Sequence, residues 1–114
     1  MRTRALAIFK EVYRQVDVVV TPGTALAAPA IPQGGVPDGW SDLGTVTEMM
    51  RFIVPGNLAG LPAISFPAGY DSRGLPVGMQ AMGRHWEEHL LLRVAYNAEQ
   101  VVKRRAPGRF YRVF

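Results

Sequence analysis

The 114-residue sequence contains no cysteine. Disulfides and thiolate catalysis are therefore excluded, and a zinc site would have to use histidine and carboxylate ligands. The absence also fits a reducing compartment such as the cytoplasm. Serine and lysine are scarce as well: there are three serines, no two of them adjacent, and two lysines, one near each end. Few serine nucleophiles, and few amines to activate them, are therefore available.

The sequence also lacks an uninterrupted apolar helix long enough to cross a membrane. Residues 52–70 form a 19-residue stretch without formal charge, but three prolines and three glycines interrupt it. Such a stretch reads as a buried strand with its approaches, because proline breaks a continuous helix. The apolar run at residues 5–9 is too short for a signal peptide. We expect neither a membrane span nor a leader.

Basic residues are concentrated at the end of the chain, and the net charge is +4. No aromatic platform or recognition-helix pattern accompanies them, so we expect no binding to nucleic acid. A solvated helix end is the better interpretation, because cations suit the negative carboxyl end of a helix dipole. The residues concerned are Lys103, Arg104, Arg105, Arg109 and Arg112.

The first part of the chain reads as a helix followed by a strand and a long loop. Apolar residues recur at helical spacing over 3–15, and the β-branched run Val18–Val20 follows. This pattern predicts a strand buried on both faces, in a sheet with parallel members. Residues 21–44 are rich in proline and glycine and predict a long loop. Its expected apolar anchors are Leu26, Ile31 and Trp40.

The second part predicts a helix capped by Thr45 or Thr47 and ended or kinked by Pro55. Two strands at 63–68 and 77–82 should form an antiparallel pair around a turn at 69–74. A last helix is predicted from about Trp86 to Arg104. The fold class is therefore α/β, in one domain whose three strands are too few for a complete sheet.

Three separated motifs carry a resemblance to a known family. Asp17–Pro22 matches D-x-x-x-x-P, Asn57–Gly69 matches N-x-x-G-x-P-x-x-S-x-P-x-G, and Gly74–Gln80 matches G-L-P-x-G-x-Q. In this order and spacing they resemble the carboxy-terminal part of amidase-signature enzymes. The resemblance implies that residues 1–114 form one partial domain of an α/β/α fold with a mixed sheet. It further implies hydrolysis of carboxamide C–N bonds without a cofactor.

The family resemblance also implies a Ser–cis-Ser–Lys triad and a Gly-Gly-Ser-Ser-Gly-Gly oxyanion loop, and this sequence has neither. Ser65 lies in a strand context rather than on a nucleophile elbow. We therefore expect no catalytic residue within the chain and no activity of the chain alone.

A substrate-pocket wall is the contribution that the resemblance leaves to this chain. Glutamine-using relatives carry an acid in the helix before the asparagine motif, and the corresponding position here is Met50. Met50 and Val54 would form an apolar wall for a small or lipophilic carboxamide. Simple packing of both side chains in the core is the alternative.

A zinc peptidase is a rival hypothesis, because residues 85–89 match H-x-x-E-H. The later carboxylate, Glu99, is ten positions from His89 on the predicted helix, about 15 Å along its axis. It is too far to share a metal with the histidines, so we expect no metal site.

Two functional hypotheses from different classes thus remain. The chain is the end of an amidase acting on a small-molecule amide, or it is a non-catalytic remnant or binding module. In either case a homo-oligomer or a missing amino-terminal portion would have to complete the sheet.

Overall fold

The computed structural model describes residues 1–103 and residue 105, and it confirms the α/β class. This part of the chain contains five helices and three strands, in the order helix, strand, three helices, two strands and helix. The helices are α1 (Arg2–Val12), α2 (Gly35–Asp38), α3 (Leu43–Met49), α4 (Val54–Ala59) and α5 (Glu88–Val101). The strands are β1 (Val19–Pro22), β2 (Ala63–Tyr70) and β3 (Pro76–Met82).

The strands form one sheet in the order β1-β3-β2, and both pairs are antiparallel. The predicted antiparallel pairing of the last two strands is confirmed. The parallel neighbour expected for the valine strand is not found among the described residues. The prediction that this strand is buried on both faces is wrong, since Val20 is 44% exposed. The reason is its place at an open edge of the sheet.

Helices lie on both faces of the sheet. Strand residues alternate between faces. On one face, a Cβ added to Gly83, the residue after β3, would stand 3.3 Å from the side chain of Leu91 in α5. On the opposite face Met82 lies against Gly56 of α4, where an added Cβ would stand 3.0 Å from the methionine sulfur. Helix α1 packs on α4 in turn. The result is an α/β/α arrangement with a small core, which centres on Ala59, Ala81, Met82 and Leu91.

The turn between β2 and β3 is organised by one carboxylate. Asp71 accepts hydrogen bonds from the backbone amides of Arg73 at 2.8 Å and Leu75 at 2.9 Å. The amide of Leu75 is the largest cause of a lowered Asp71 pKa. Gly74 takes a positive φ of 81°, a conformation that costs glycine little. The strands extend further toward this turn than the sequence indicated, and β2 carries a bulge between Pro67 and Gly69.

The predicted helix before the asparagine motif is in fact two helices. Asp42, rather than Thr45 or Thr47, caps α3, because its carboxylate accepts from the amides of Gly44 and Thr45. The helix ends at Met49, six residues before Pro55, which lies in the first turn of α4. The second helix was missed.

The remaining predictions hold in outline and fail at their boundaries. Helix α1 ends at Val12, three residues early, and α5 begins at Glu88 because Trp86 has a positive φ of 69°. Helix α5 ends at Val101 rather than at the predicted Arg104, which itself lies outside the described residues, as do Arg109 and Arg112. The long loop is shorter than the predicted 21–44, because β1 extends to Pro22 and α3 begins at Leu43. It contains the short α2, and its three supposed anchors are exposed. No described helix has the length and apolar character that a membrane crossing requires.

Candidate functional site

A polar row crosses the sheet on the face that carries α4. Thr21 of β1 and Ser65 of β2 are both in register with Gln80 of β3. Their side chains therefore share one face, since residues directly opposite in antiparallel strands point the same way. Gln80 is central in this row, with a strand on either side.

Gln80 is a buried polar residue whose amide is bonded. It is 6% exposed, and its Nε2 donates to the Phe52 carbonyl oxygen at 3.2 Å and to Thr21 Oγ1 at 3.4 Å. Alternation along a strand predicts that this side chain, unlike those of Met79 and Ala81, points into a polar seam, and its contacts with Phe52 and Thr21 confirm this. Because Phe52 lies between α3 and α4, the amide links the central strand to that turn.

Met50 and Val54 lie at the two ends of the α3–α4 turn. Met50 is the residue after α3, and Val54 is the first residue of α4. The amide of Ile53 donates to the Met50 carbonyl oxygen at 3.1 Å, which holds the turn closed. Met50 is 45% exposed and Val54 is 54% exposed. Neither is a core residue of the described structure, so both apolar side chains are available to contact something else.

Charge beside this turn is neutralised locally. Arg51 Nη2 lies 2.8 Å from a carboxylate oxygen of Glu48, one helical turn earlier. Both side chains are exposed, so the pair adds little stability. The pair neutralises the charges of Glu48 and Arg51 beside Met50, and the other side chains of the turn are apolar.

Arg84, just after β3, is a second centre of polar contacts. Its guanidinium donates to the Tyr13 carbonyl oxygen at 2.6 Å, the Val16 carbonyl oxygen at 3.0 Å and Glu87 Oε2 at 3.0 Å. Asp17 is a weaker partner at 3.4 Å. The hydrogen bond to Glu87 is the largest cause of a raised Arg84 pKa. These hydrogen bonds hold the segment between α1 and β1 against the end of β3.

A mostly apolar hollow of about 440 Å³ lies beside this arginine, and Leu6, Phe9, Tyr13, Leu61 and His85 are among its lining residues. Tyr13 is 7% exposed, and burial raises the pKa of its phenol. Its hydroxyl has no hydrogen-bond partner among the described residues. Neither Met50 nor Val54 lines this hollow.

The hydroxyl and amine groups weighed for catalysis are not brought together. Ser65 is exposed on the edge strand β2, whereas Lys10 lines the hollow beside α1. Within the described part of the chain, no three metal-binding side chains are close enough to hold an ion. His85 precedes α5 and His89 lies in it, so the two histidines do not share the helix that the zinc motif needs.

Comparison with known proteins identifies the family. The family model described as Amidase matches residues 1–92. The chain belongs to the amidase family. A fatty acid amide hydrolase of Medicago truncatula is 46% identical over 99% of this chain and 19% of its own length. A glutamyl-tRNA(Gln) amidotransferase subunit from Synechococcus sp. strain CC9311 is 42% identical over 96% of this chain and 22% of its own.

Solved amidase-family structures have the same fold in this region. The glutamyl-tRNA(Gln) amidotransferase subunit from Thermotoga maritima matches with a TM-score of 0.74 and 35% identity, over 89% of this chain and 21% of that one. A 6-aminohexanoate cyclic dimer hydrolase matches with a TM-score of 0.66 and 28% identity, over 87% of this chain and 22% of its own. The chain thus spans about one fifth of the length of its relatives.

Sequence reasoning missed Arg84 and Asp42. Three of the acceptors of Arg84, on Tyr13, Val16 and Asp17, lie 67 to 71 positions earlier, so no local pattern could reveal them. Asp42, by contrast, is an acid directly before a helix and was recognisable as a cap.

Proposed function

We propose that the chain is the carboxy-terminal segment of an amidase-type C–N hydrolase. Within the whole enzyme it would supply sheet scaffold and an apolar wall of the substrate pocket. The observation that carries this proposal is the family match over residues 1–92, together with an alignment to a fatty acid amide hydrolase that includes 99% of this chain. The catalytic residues would lie in a part of the polypeptide outside these 114 residues.

The reaction requires groups that this sequence does not contain. In the family's mechanism a lysine acts through a bridging serine to take the proton of the nucleophilic serine. The serine oxygen then attacks the carboxamide carbon, and backbone amides stabilise the oxyanion. Collapse breaks the C–N bond, the amine leaves with a proton, and water releases the acid. With no adjacent serines in the sequence, this chain would contribute binding rather than bond cleavage.

The pocket wall is proposed to consist of Met50 and Val54. Both are apolar and half-exposed, and the nearby charges of Glu48 and Arg51 satisfy each other. Such a surface suits the hydrocarbon part of a lipophilic carboxamide better than a charged substrate. Several relatives at 40–46% identity are named fatty acid amide hydrolases, which supports this substrate class.

A non-catalytic remnant or binding module is the second candidate. The observation that favours it is the absence of paired serines from the sequence itself. The two candidates differ in whether the chain can replace its counterpart in a working enzyme.

We expect the 114-residue chain alone to hydrolyse no carboxamide above background, because it cannot activate a nucleophile. Purified chain, treated with a serine-directed fluorophosphonate probe, should remain unlabelled by intact-mass measurement. The Ser65→Ala variant is the matched control. Stoichiometric labelling that disappears in Ser65→Ala would overturn the assignment of catalysis to other residues.

The decisive experiment is a chimaera in which this chain replaces the matching segment of the Medicago truncatula fatty acid amide hydrolase. Retained hydrolysis of a long-chain amide would support a role in an amidase, and a folded but inactive chimaera would favour the remnant. In the active chimaera, Met50→Ala and Val54→Ala should each lower kcat/KM for long-chain amides more than for short ones. Leu92→Ala, an exposed apolar change on α5 across the sheet, should not alter this ratio.

A further inference from the structure

We infer that Gln80 is a positioning residue that sets the α3–α4 turn, and thereby Met50 and Val54, relative to the sheet. The inference rests on the proposed pocket wall and adds the residue that would determine where this wall stands. Gln80 itself would not touch the substrate.

The first support is the location of the hydrogen bond. Phe52, whose carbonyl oxygen accepts from Gln80 Nε2 at 3.2 Å, lies two residues after Met50 and two before Val54. The sheet therefore holds the turn at its midpoint. A displacement of this carbonyl would move both proposed wall residues together.

The second support is the contrast between this bond and the others in the turn. The Arg51 amide donates to the Glu48 carbonyl oxygen, and the Ile53 amide donates to the Met50 carbonyl oxygen. These bonds shape the turn internally but do not fix its height above the sheet. The bond from Gln80 joins residues 28 positions apart and connects the turn to the central strand.

The third support is the rigidity of the donor. Gln80 lies on β3 with paired strands on both sides, and its side chain is 6% exposed. The second bond, from Nε2 to Thr21 Oγ1 at 3.4 Å, restrains the amide orientation. A buried donor held this way is costly to remove, because the facing carbonyl would lose its partner.

The consequence concerns selectivity among substrates. If Met50 and Val54 contact the hydrocarbon part of a lipophilic amide, the position of the turn determines how long a chain the pocket accepts. A loosened turn would weaken discrimination between long and short chains without removing any catalytic group.

Two substitutions in the chimaera separate positioning from general stabilisation. Gln80→Met keeps the side-chain length and removes both hydrogen bonds. Thr21→Val removes the bond to Thr21 and leaves the bond to Phe52 in place. We expect Gln80→Met to lower the ratio of kcat/KM for a long-chain amide to that for a short-chain amide by about tenfold, the effect of a methylene-scale change in a pocket. Thr21→Val, which keeps the bond to Phe52, should lower this ratio by less than Gln80→Met does, and the exposed control Gln100→Met should leave it unchanged.

The outcomes distinguish this inference from the proposed function. If Met50→Ala changes the ratio and Gln80→Met does not, or if Thr21→Val changes it as much as Gln80→Met, the positioning role is overturned. If neither Met50→Ala nor Val54→Ala changes the ratio, the pocket wall itself is wrong and the inference falls with it. Should Gln80→Met not yield soluble enzyme, Gln80→Glu replaces the donor with an oxygen at the same length. The same loss of selectivity is then expected, and an unchanged ratio would overturn the positioning role.

Discussion

At the scale of single residues, the contacts of Arg84 depend on the shape of its head group. The planar guanidinium presents several donors in a fixed fork. One nitrogen, Nη2, donates to the carbonyl oxygens of Tyr13 and Val16, and Nη1 donates to Glu87. The Arg84 carbon Cζ also stands 5.6 Å from the centre of the Tyr13 ring. An ammonium group has the same charge but lacks this geometry.

We therefore predict that Arg84→Lys loosens the α1–β1 link nearly as much as Arg84→Ala. Hydrogen–deuterium exchange of chimaera peptides that contain residues 13–17 would measure the effect. Exchange should quicken in both variants, whereas Arg93→Lys, a change at an exposed position of α5, should leave it unaltered. If the peptides that contain residues 13–17 exchange as slowly in Arg84→Lys as in wild type, the positive charge alone is enough to hold the α1–β1 link.

The sequence could predict the direction of the Gln80 side chain and not the contacts of Arg84. Gln80 lies in a strand whose alternation indicates which side chains share a face, so its approach to a polar seam followed from the pattern. Its partner at Phe52 did not follow, because the position of a turn above a sheet depends on tertiary packing. Arg84 follows the strand in a short link, where no periodicity indicates direction, and its carbonyl acceptors come from a distant segment.

At the scale of elements, α3 depends on its cap. Asp42 accepts hydrogen bonds from two backbone amides and from the Thr45 hydroxyl at 2.7 Å. The Thr45 hydroxyl is the largest cause of a lowered Asp42 pKa. Because the pKa is lower in the folded chain than in the unfolded chain, this contribution to stability is present above the unfolded pKa. It is lost as the pH falls through the folded pKa.

The resulting prediction concerns pH. Asp42→Ala should speed hydrogen exchange of the α3 peptide near neutral pH, because the amides of Gly44 and Thr45 lose their acceptor. After correction for intrinsic rates, the difference from wild type should begin to shrink below the ordinary pKa of aspartate, about 3.9, and should disappear as the pH falls through the lower pKa of the folded chain. Asp42→Asn, a neutral cap, should show no such pH dependence. A difference between wild type and Asp42→Ala that stays constant down to about pH 3 would contradict this role.

Element predictions succeeded where one strong signal decided them. Pro55 forbids a continuous helix, so an interruption near it was predictable although the end of α3 at Met49 was not, and the β2–β3 hairpin followed from two strands around a glycine turn. The short α4 was missed because its sequence, with a proline and a glycine, has poor intrinsic helix propensity. It forms where Gly56 allows close approach to Met82, and that contact is visible only in the folded chain.

At the scale of the whole molecule, the chain exposes more surface than a compact protein of its size. Its accessible area is 9078 Å², against about 6,200 Å² expected for a folded monomer of this mass. Its radius of gyration is 17.0 Å, against about 13 Å expected. Exposed apolar side chains contribute to the excess, and Trp86, Leu92 and Tyr96 are among them.

Both edges of the sheet are open within the described residues. The Gly23 amide bonds to the Gly78 carbonyl oxygen, so by alternation the backbone of Val20 and Pro22 faces away from β3. The Gly83 amide bonds to the Pro62 carbonyl oxygen, which likewise turns the backbone of Ser65 and Pro67 outward. The two prolines offer no donor, whereas the amides of Val20 and Ser65 remain open to a further strand.

We expect the isolated chain to self-associate or remain loosely packed, because open strand edges and uncovered apolar surface favour intermolecular contacts. Sedimentation velocity should show species larger than a monomer, and an environment-sensitive dye for apolar surface should bind. In the chimaera both signals should disappear, and the Val20 amide should exchange more slowly than in the isolated chain because a neighbouring strand then covers that edge. An isolated chain that sediments as a monomer and unfolds in one sharp transition would instead show that these 114 residues supply enough core of their own.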